Sequence, residues 1–114
     1  MGKDISIEIT QHAFQRLKER SGLNQSAASK IAYKAYDIGL KHQECTGALH
    51  KWVTSTSRTS KKGSMFRIYG DKLWIFNKTA ENNKIKLVTV LQVPPNLNKL
   101  VNVLMQKKKE VYNV

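Results

Sequence analysis

The order of patterned segments predicts an α+β fold: two N-terminal helices packed on a three- to four-stranded antiparallel sheet, with a short C-terminal helix. Three observations carry this. Apolar residues recur at helical spacing up to Gly39, alternating aromatic and β-branched runs then dominate as far as Val93, and a helical period returns after Pro94-Pro95. Helices that come in sequence before a run of hairpin-connected strands pack on one face of the resulting sheet.

Residues 4–9, DISIEI, alternate and predict a short strand or an extended lead-in. Thr10 is a suitable N-cap for a helix through Arg20 that Gly22 stops. Ile9, Ala13 and Leu17 share one side of it, with Phe14 widening the stripe. Asn24 or Ser26 caps a second helix, QSAASKIAYKAYDIG, that ends at Gly39 and turns Ala28, Ile31, Ala35 and Ile38 inward. The few residues between the two helices make them neighbours. A first strand is expected at about 48–55, followed by a basic, polar loop through Gly63. MFRIYGDKLWIF predicts a hairpin turning at Gly70-Asp71, and IKLVTVLQV predicts a central strand ended by Pro94-Pro95. NLNKLVNVLMQKKKE then reads as a helix with Leu97, Leu100, Val101 and Leu104 inward and lysines 107–109 outside.

The 114 residues fit a single domain, 1–114, with one modest core. Twenty Lys+Arg against eight Asp+Glu give a formal charge of +12, which makes a polyanion the expected partner, RNA above all. A basic membrane-surface peptide concentrates its charge on one amphipathic helix, whereas these cations are scattered through every segment. No apolar stretch reaches transmembrane length, and the first ten residues lack the apolar run of a signal peptide, so a cytoplasmic protein is expected. Met1-Gly2 with Ser6 has the outline of a myristoylation start, but a Gly after Met is common by chance, and the signal is set aside. The lone Cys45 excludes an internal disulfide and reads as a packing residue. His12, His42, His50 and Cys45 do not match a zinc spacing, although HQEC at 42–45 brings two candidate ligands close; no metal or other cofactor is expected.

Chemistry points to the first helix. His12, Arg16 and Arg20 recur every fourth residue and so form one stripe. At about 100° per residue, the two arginines fall within about 20° of Ile9 and His12 about 40° further out, at the border of the apolar face. Metal-free RNA cleavage needs a base, an acid and positive charge on the crowded phosphate. His12 suits either proton role, and the arginines suit bidentate contact with phosphate oxygens. Thr89, a hydroxyl inside the apolar strand LVTVL, needs a hydrogen-bond partner or a cleft; a β-favouring residue on a partly solvated face is the better account of it. Arg58, Lys61, Lys62 and Arg67 are the richest cationic run outside the helices and suit backbone contacts with nucleic acid. Trp52, Tyr69, Trp74 and Phe76 offer stacking surfaces, or simply core.

The His12, Arg16 and Arg20 spacing in HAFQRLKER, the second helix ending at Gly39, the hairpin and the terminal LVTVLQVP together resemble small phage and bacterial toxin-like proteins of the RelE/colicin-type ribonuclease fold, over roughly residues 10–94. The resemblance implies helices on one face of an antiparallel sheet, RNA held at the open face, and a metal-independent endoribonuclease with His12, Arg16 and Thr89 at its site. An acidic antitoxin or immunity protein is a candidate partner that the sequence itself does not show. Arg20 and the 58–67 segment rest on charge more than on the resemblance. The alternative expectation is a non-catalytic phage protein that binds nucleic acid or inhibits a host defence complex.

Overall fold

A computed structural model of the chain describes residues 5–112, with side chains described through residue 110. Met1 and Gly2, the myristoylation start discounted above, lie outside the described residues, as does Asp4 at the head of the expected first strand. In chain order the elements are β1 (Ser6–Ile9), α1 (Gln11–Ser21), α2 (Gln25–Ile38), β2 (Leu40–Lys41), a 3-10 turn (His42–Glu44), α3 (Gly47–Ser57), β3 (Met65–Tyr69), β4 (Lys72–Lys78), β5 (Lys84–Gln92), a second 3-10 turn (Pro95–Leu97) and α4 (Asn98–Tyr112). The described strands form one sheet in the order β1-β5-β4-β3-β2. No helix among the described residues is long and apolar enough to cross a membrane.

The first two helices form where their caps place them. The Thr10 side chain accepts from the Ala13 amide at 3.1 Å and the Asn24 side chain from the Ala27 amide at 2.8 Å, each satisfying an orphan donor of the first turn. Gly22 takes the left-handed conformation, φ 64°, and its amide closes α1 onto the Lys18 carbonyl. Ile9 belongs to β1, so the face that α1 buries is made by Ala13 and Leu17. On α2 the buried residues are Ala28, Ala32 and Ala35, whose small side chains let the helix lie close to the sheet; Ile38 stays exposed instead of turning inward. Gly39 is tight for another reason: a Cβ there would collide with the Ala35 carbonyl oxygen and crowd Arg67 and Ile68.

The sheet departs from expectation in three respects. It has five strands and is mixed, because β1 runs parallel to β5, from Ser6 opposite Lys84 to Ile9 opposite Leu87. The strand expected at 48–55 is helix α3. Leu49 and Val53, four residues apart, are its buried positions, and the Thr56 hydroxyl bonds back to the Trp52 carbonyl at 3.1 Å, so a β-branched segment is absorbed into a helix. Helices also cover both faces. Ala13, Leu17 and the alanines of α2 pack with Trp74, Phe76, Ile85, Leu87 and Val90. On the opposite face Leu49 and Val53 of α3 and Val101 of α4 pack with Leu40, Phe66, Ile68, Leu73 and Ile75. The four consecutive buried residues Leu73, Trp74, Ile75 and Phe76 of β4 therefore split between two cores.

Both edges of the sheet are blunted. The Tyr33 hydroxyl accepts from the Ile7 amide at 3.0 Å, occupying the outer side of β1, and β2 is two residues long.

Candidate nucleic-acid interface

The α1 stripe keeps its charge available. His12 and Arg20 are exposed and Arg16 is half-buried, directly flanking the fully buried Ala13 and Leu17. Glu19, the acidic residue of the helix, takes a hydrogen bond from Gln15 at 3.3 Å, and neither arginine joins an ion pair among the described residues. Phe14 lies on the other flank and packs against the first core, so the cationic stripe lies on the flank away from Phe14.

The N-terminus of α1 is seated on β5. The Thr10 amide donates to the Leu87 carbonyl and the Thr10 hydroxyl to the Val88 carbonyl, both at 3.1 Å. A bulge sits at the same place: Ile75 pairs with Thr89 and Phe76 with Leu87, leaving Val88 as the extra residue. Thr89 is thus next to the residue that anchors α1. Register with Ile75 puts it on the α3/α4 side of the sheet, while α1 buries its apolar side in the other core. Thr89 and α1 therefore lie on opposite faces of β5, and the fold does not bring the Thr89 hydroxyl to the stripe. The Thr89 side chain is half-buried, and its hydroxyl makes no hydrogen bond among the described residues.

On that same side of β5 the structure adds a cation that the sequence reading did not select. Lys86 pairs in register with Asn77, is exposed, and makes no ion pair among the described residues. Its neighbour Lys84 is spent on Glu8 and Glu81, each at 3.5 Å. The alternation in Lys84-Ile85-Lys86-Leu87 was the available signal, since it sends both lysines to one face. Asn77 in turn lies within hydrogen-bond distance of the Ser64 hydroxyl, 2.8 Å away. That contact docks the turn carrying Lys61 and Lys62 beside the same end of the sheet. The turn is stitched by the Ser64 hydroxyl on the Lys61 carbonyl at 2.6 Å, and Lys61, Lys62 and Arg58 are exposed.

Arg67 does not join them. Its guanidinium donates to the Tyr36 and Phe66 carbonyls, both at 3.0 Å, and lies 4.9 Å above the centre of the Tyr36 ring. Burial pulls its pKa down from the ordinary arginine value, although the Tyr36 and Glu44 charges act the other way. This arginine ties β3 to α2. Trp74 and Phe76 are core residues, and Trp52 and Tyr69 are half-buried.

The HQEC segment is a structural joint. The His42 Nε2 pairs with the Thr54 hydroxyl at 2.9 Å, and its ring lies 4.8 Å from that of His50 and 6.0 Å from that of Phe66. Burial, then the neighbouring His50, lowers the His42 pKa. Burial works to raise the Glu44 pKa, but the Lys41 amide at 2.7 Å and the Lys108 ammonium at 2.9 Å hold it below the usual value. The Cys45 thiol is buried and donates to the Lys41 carbonyl, and burial and Glu44 push its pKa up to about 11, which suits packing and not nucleophilic attack. No group of three or more His, Cys, Asp or Glu residues that could hold a metal ion forms among the described residues.

A scan against protein-family models finds no match to this chain, and searches of curated proteins and of solved structures find none.

Proposed function

We propose that this chain is a small basic RNA-binding protein of toxin-like type that cleaves RNA without a metal, with its site where the N-terminus of α1 meets β5. The observation that carries the reading is the pair of arginines, Arg16 and Arg20, held on one stripe with His12 and left without carboxylate partners among the described residues. Arginines so placed are free to exchange counterions for phosphate oxygens. Lys86, Lys61, Lys62 and Arg58 form a second cationic group toward the α3/α4 side of the sheet and suit backbone contacts. The proposed kinship with the RelE/colicin-type ribonucleases rests on the His12, Arg16 and Arg20 spacing and the terminal LVTVLQVP; among the described residues, helices on both faces leave no open sheet face of the kind that kinship implies, and the edge of α1 takes its place.

In this mechanism the 2′-oxygen attacks the adjacent phosphorus, the bond to the 5′-oxygen breaks, and a 2′,3′-cyclic phosphate and a 5′-hydroxyl result. One proton leaves the 2′-hydroxyl and one reaches the departing 5′-oxygen. His12 performs one of these transfers and water the other, while Arg16 and Arg20 stabilise the charge that builds on the phosphoryl oxygens. Thr89, on the opposite face of the sheet from α1, takes no part in this mechanism.

A second reading has its own support. His12 is exposed and no protein group orients its ring among the described residues, whereas a catalytic imidazole is ordinarily fixed by a partner. A non-catalytic protein that covers nucleic acid, or blocks the nucleic-acid channel of a host defence complex, needs the cations and not the imidazole. An acidic antitoxin or immunity protein would neutralise the same surface under the first reading. Incubation with total cellular RNA in chelator, followed by mapping of the ends, separates the two. Cyclic phosphate and 5′-hydroxyl ends support cleavage; intact RNA in a stable complex supports the second reading; absence of binding at moderate salt overturns both.

A further inference from the structure

A cavity of about 600 Å³ opens between Ile38 at the end of α2, Tyr69 at the end of β3, and the flank of α4 that carries Asn102, Met105, Gln106 and Lys109. Its volume lies in the range of small-molecule sites, roughly 300–1,000 Å³. We propose that this cavity accepts one unpaired nucleotide of a single-stranded RNA, and the proposal rests on the RNA-binding reading above.

Four observations support it. First, Asn102, Gln106 and Lys109 are spaced as one face of α4, and Met105 lies between that face and the Val101 and Leu104 side, packing on the second core as well. Second, the walls are apolar where a base ring would lie. Tyr69 and Met105 are half-buried, and Ile38 is 46% exposed, a large aliphatic side chain left at the rim for a ligand to cover. Third, the polar groups are amides. The Asn102 side chain is exposed, and Gln106 donates to Glu110 at 3.4 Å while its carbonyl stays available. Amides present a donor and an acceptor together, the pattern displayed by base edges, whereas a fatty acid or a simple anion has no use for it. Fourth, the cation is placed for a phosphate. The Lys108 ammonium is fixed to the Gly39 carbonyl at 2.8 Å and to Glu44, which holds the helix in position, while Lys109 beside it forms no ion pair among the described residues.

One side chain, Tyr69, is shared between this cavity and a hollow at the end of α1. Tyr69 lines a second, shallower hollow together with Leu17, Ser21 and Leu23. The last turn of α1 and the cavity thus share a wall at Tyr69. The concave shape selects against a duplex, whose bases stay stacked.

The test follows the side-chain amide signals of Asn102 and Gln106 by NMR in the intact protein. It uses titration with adenosine and uridine 5′-monophosphates, a single-stranded RNA oligomer, the matching duplex, and dodecanoate. The proposal expects both amides to shift with a mononucleotide and with the single strand. It expects the exposed-site double variant Asn102→Leu/Gln106→Leu to lose on the order of tenfold in single-strand affinity. Duplex affinity and the circular dichroism spectrum stay as in the parent. Single-strand binding that leaves these signals unmoved and the variant unimpaired overturns this inference while the RNA-binding reading stands. Shifts with dodecanoate and none with mononucleotides assign the cavity to an amphiphile and overturn it too. If no RNA binds, the RNA-binding reading falls, and with it the assignment of the cavity to an RNA nucleotide.

Discussion

Replacing both arginines of the α1 stripe, Arg16→Gln with Arg20→Gln, gives the sharpest reading of what that stripe is for. Each protein cation that replaces counterions on a single strand contributes about 0.7 to the slope of log affinity against log salt. Loss of two phosphate contacts flattens the slope by about 1.4, and at 0.1 M salt the same change corresponds to about 25-fold weaker binding. The two curves converge toward 1 M salt. The fold should survive, because Arg20 is exposed and Arg16 half-buried, neither is in an ion pair among the described residues, and glutamine keeps part of the stem. Fluorescence anisotropy of a labelled single-stranded RNA across a series of KCl concentrations measures the slope directly. Arg67→Gln supplies the contrast. It strips two carbonyls of a guanidinium partner and should cost about 1.5–3 kcal/mol of stability with the salt slope unchanged. If the stripe variant keeps the parent's slope, or the Arg67 variant is the one that loses it, the assignment of phosphate contacts to α1 is wrong.

Two further predictions concern the joint at residues 42–45. The Cys45 thiol, pushed from 9.0 to about 11, should react with iodoacetamide at pH 8 about 100-fold more slowly in the native protein than in denaturant; rapid native labelling would contradict the buried placement. The His42 pKa is lowered on folding, so the unfolded chain takes up that proton first and stability is lost as pH falls below 6.5. Thermal melts between pH 7.5 and 5 should show this decline, above the range where Glu44 and Asp71 titrate, and His42→Gln should flatten it.

Much of the N-terminal half was readable because its signals are local. Thr10, Gly22 and Asn24 mark helix ends by side-chain and backbone chemistry that needs no distant partner. The hairpin at Gly70-Asp71 and the buried side of α4 were legible for the same reason. What failed depended on tertiary context. Trp52, Val53, Thr54 and Thr56 favour a strand by composition, and their hydroxyls and rings fit a helix only once α3 has the second sheet face to cover. That second face was announced by the unbroken apolar run Leu73–Phe76, since a strand with one wet face alternates. The partner of β1 lies some 78 residues away in sequence, at Lys84 onward, and no local pattern names it.

The site divides the same way. The α1 stripe is a matter of fourfold spacing and was visible at once. Strand alternation marks Lys86 in the sequence, but its place beside the Lys61–Lys62 turn follows only from its register with Asn77, and Arg67 lost its place because Tyr36, 31 residues earlier, claims its charge. The cavity beside α4 needs three elements brought together by the fold, with Gly39 permitting the close approach of α2 to β3.

The account is tested most directly by comparing parent and His12→Ala on a defined RNA in chelator, with ends mapped and folding checked by thermal melting. The predicted result is 2′,3′-cyclic phosphate and 5′-hydroxyl ends from the parent, a loss of about 10²- to 10⁴-fold in the variant, and melting curves that nearly coincide. RNA left whole by the parent, or cut as fast by the variant, contradicts the claim that this exposed imidazole and its two neighbouring guanidinium groups form a catalytic site.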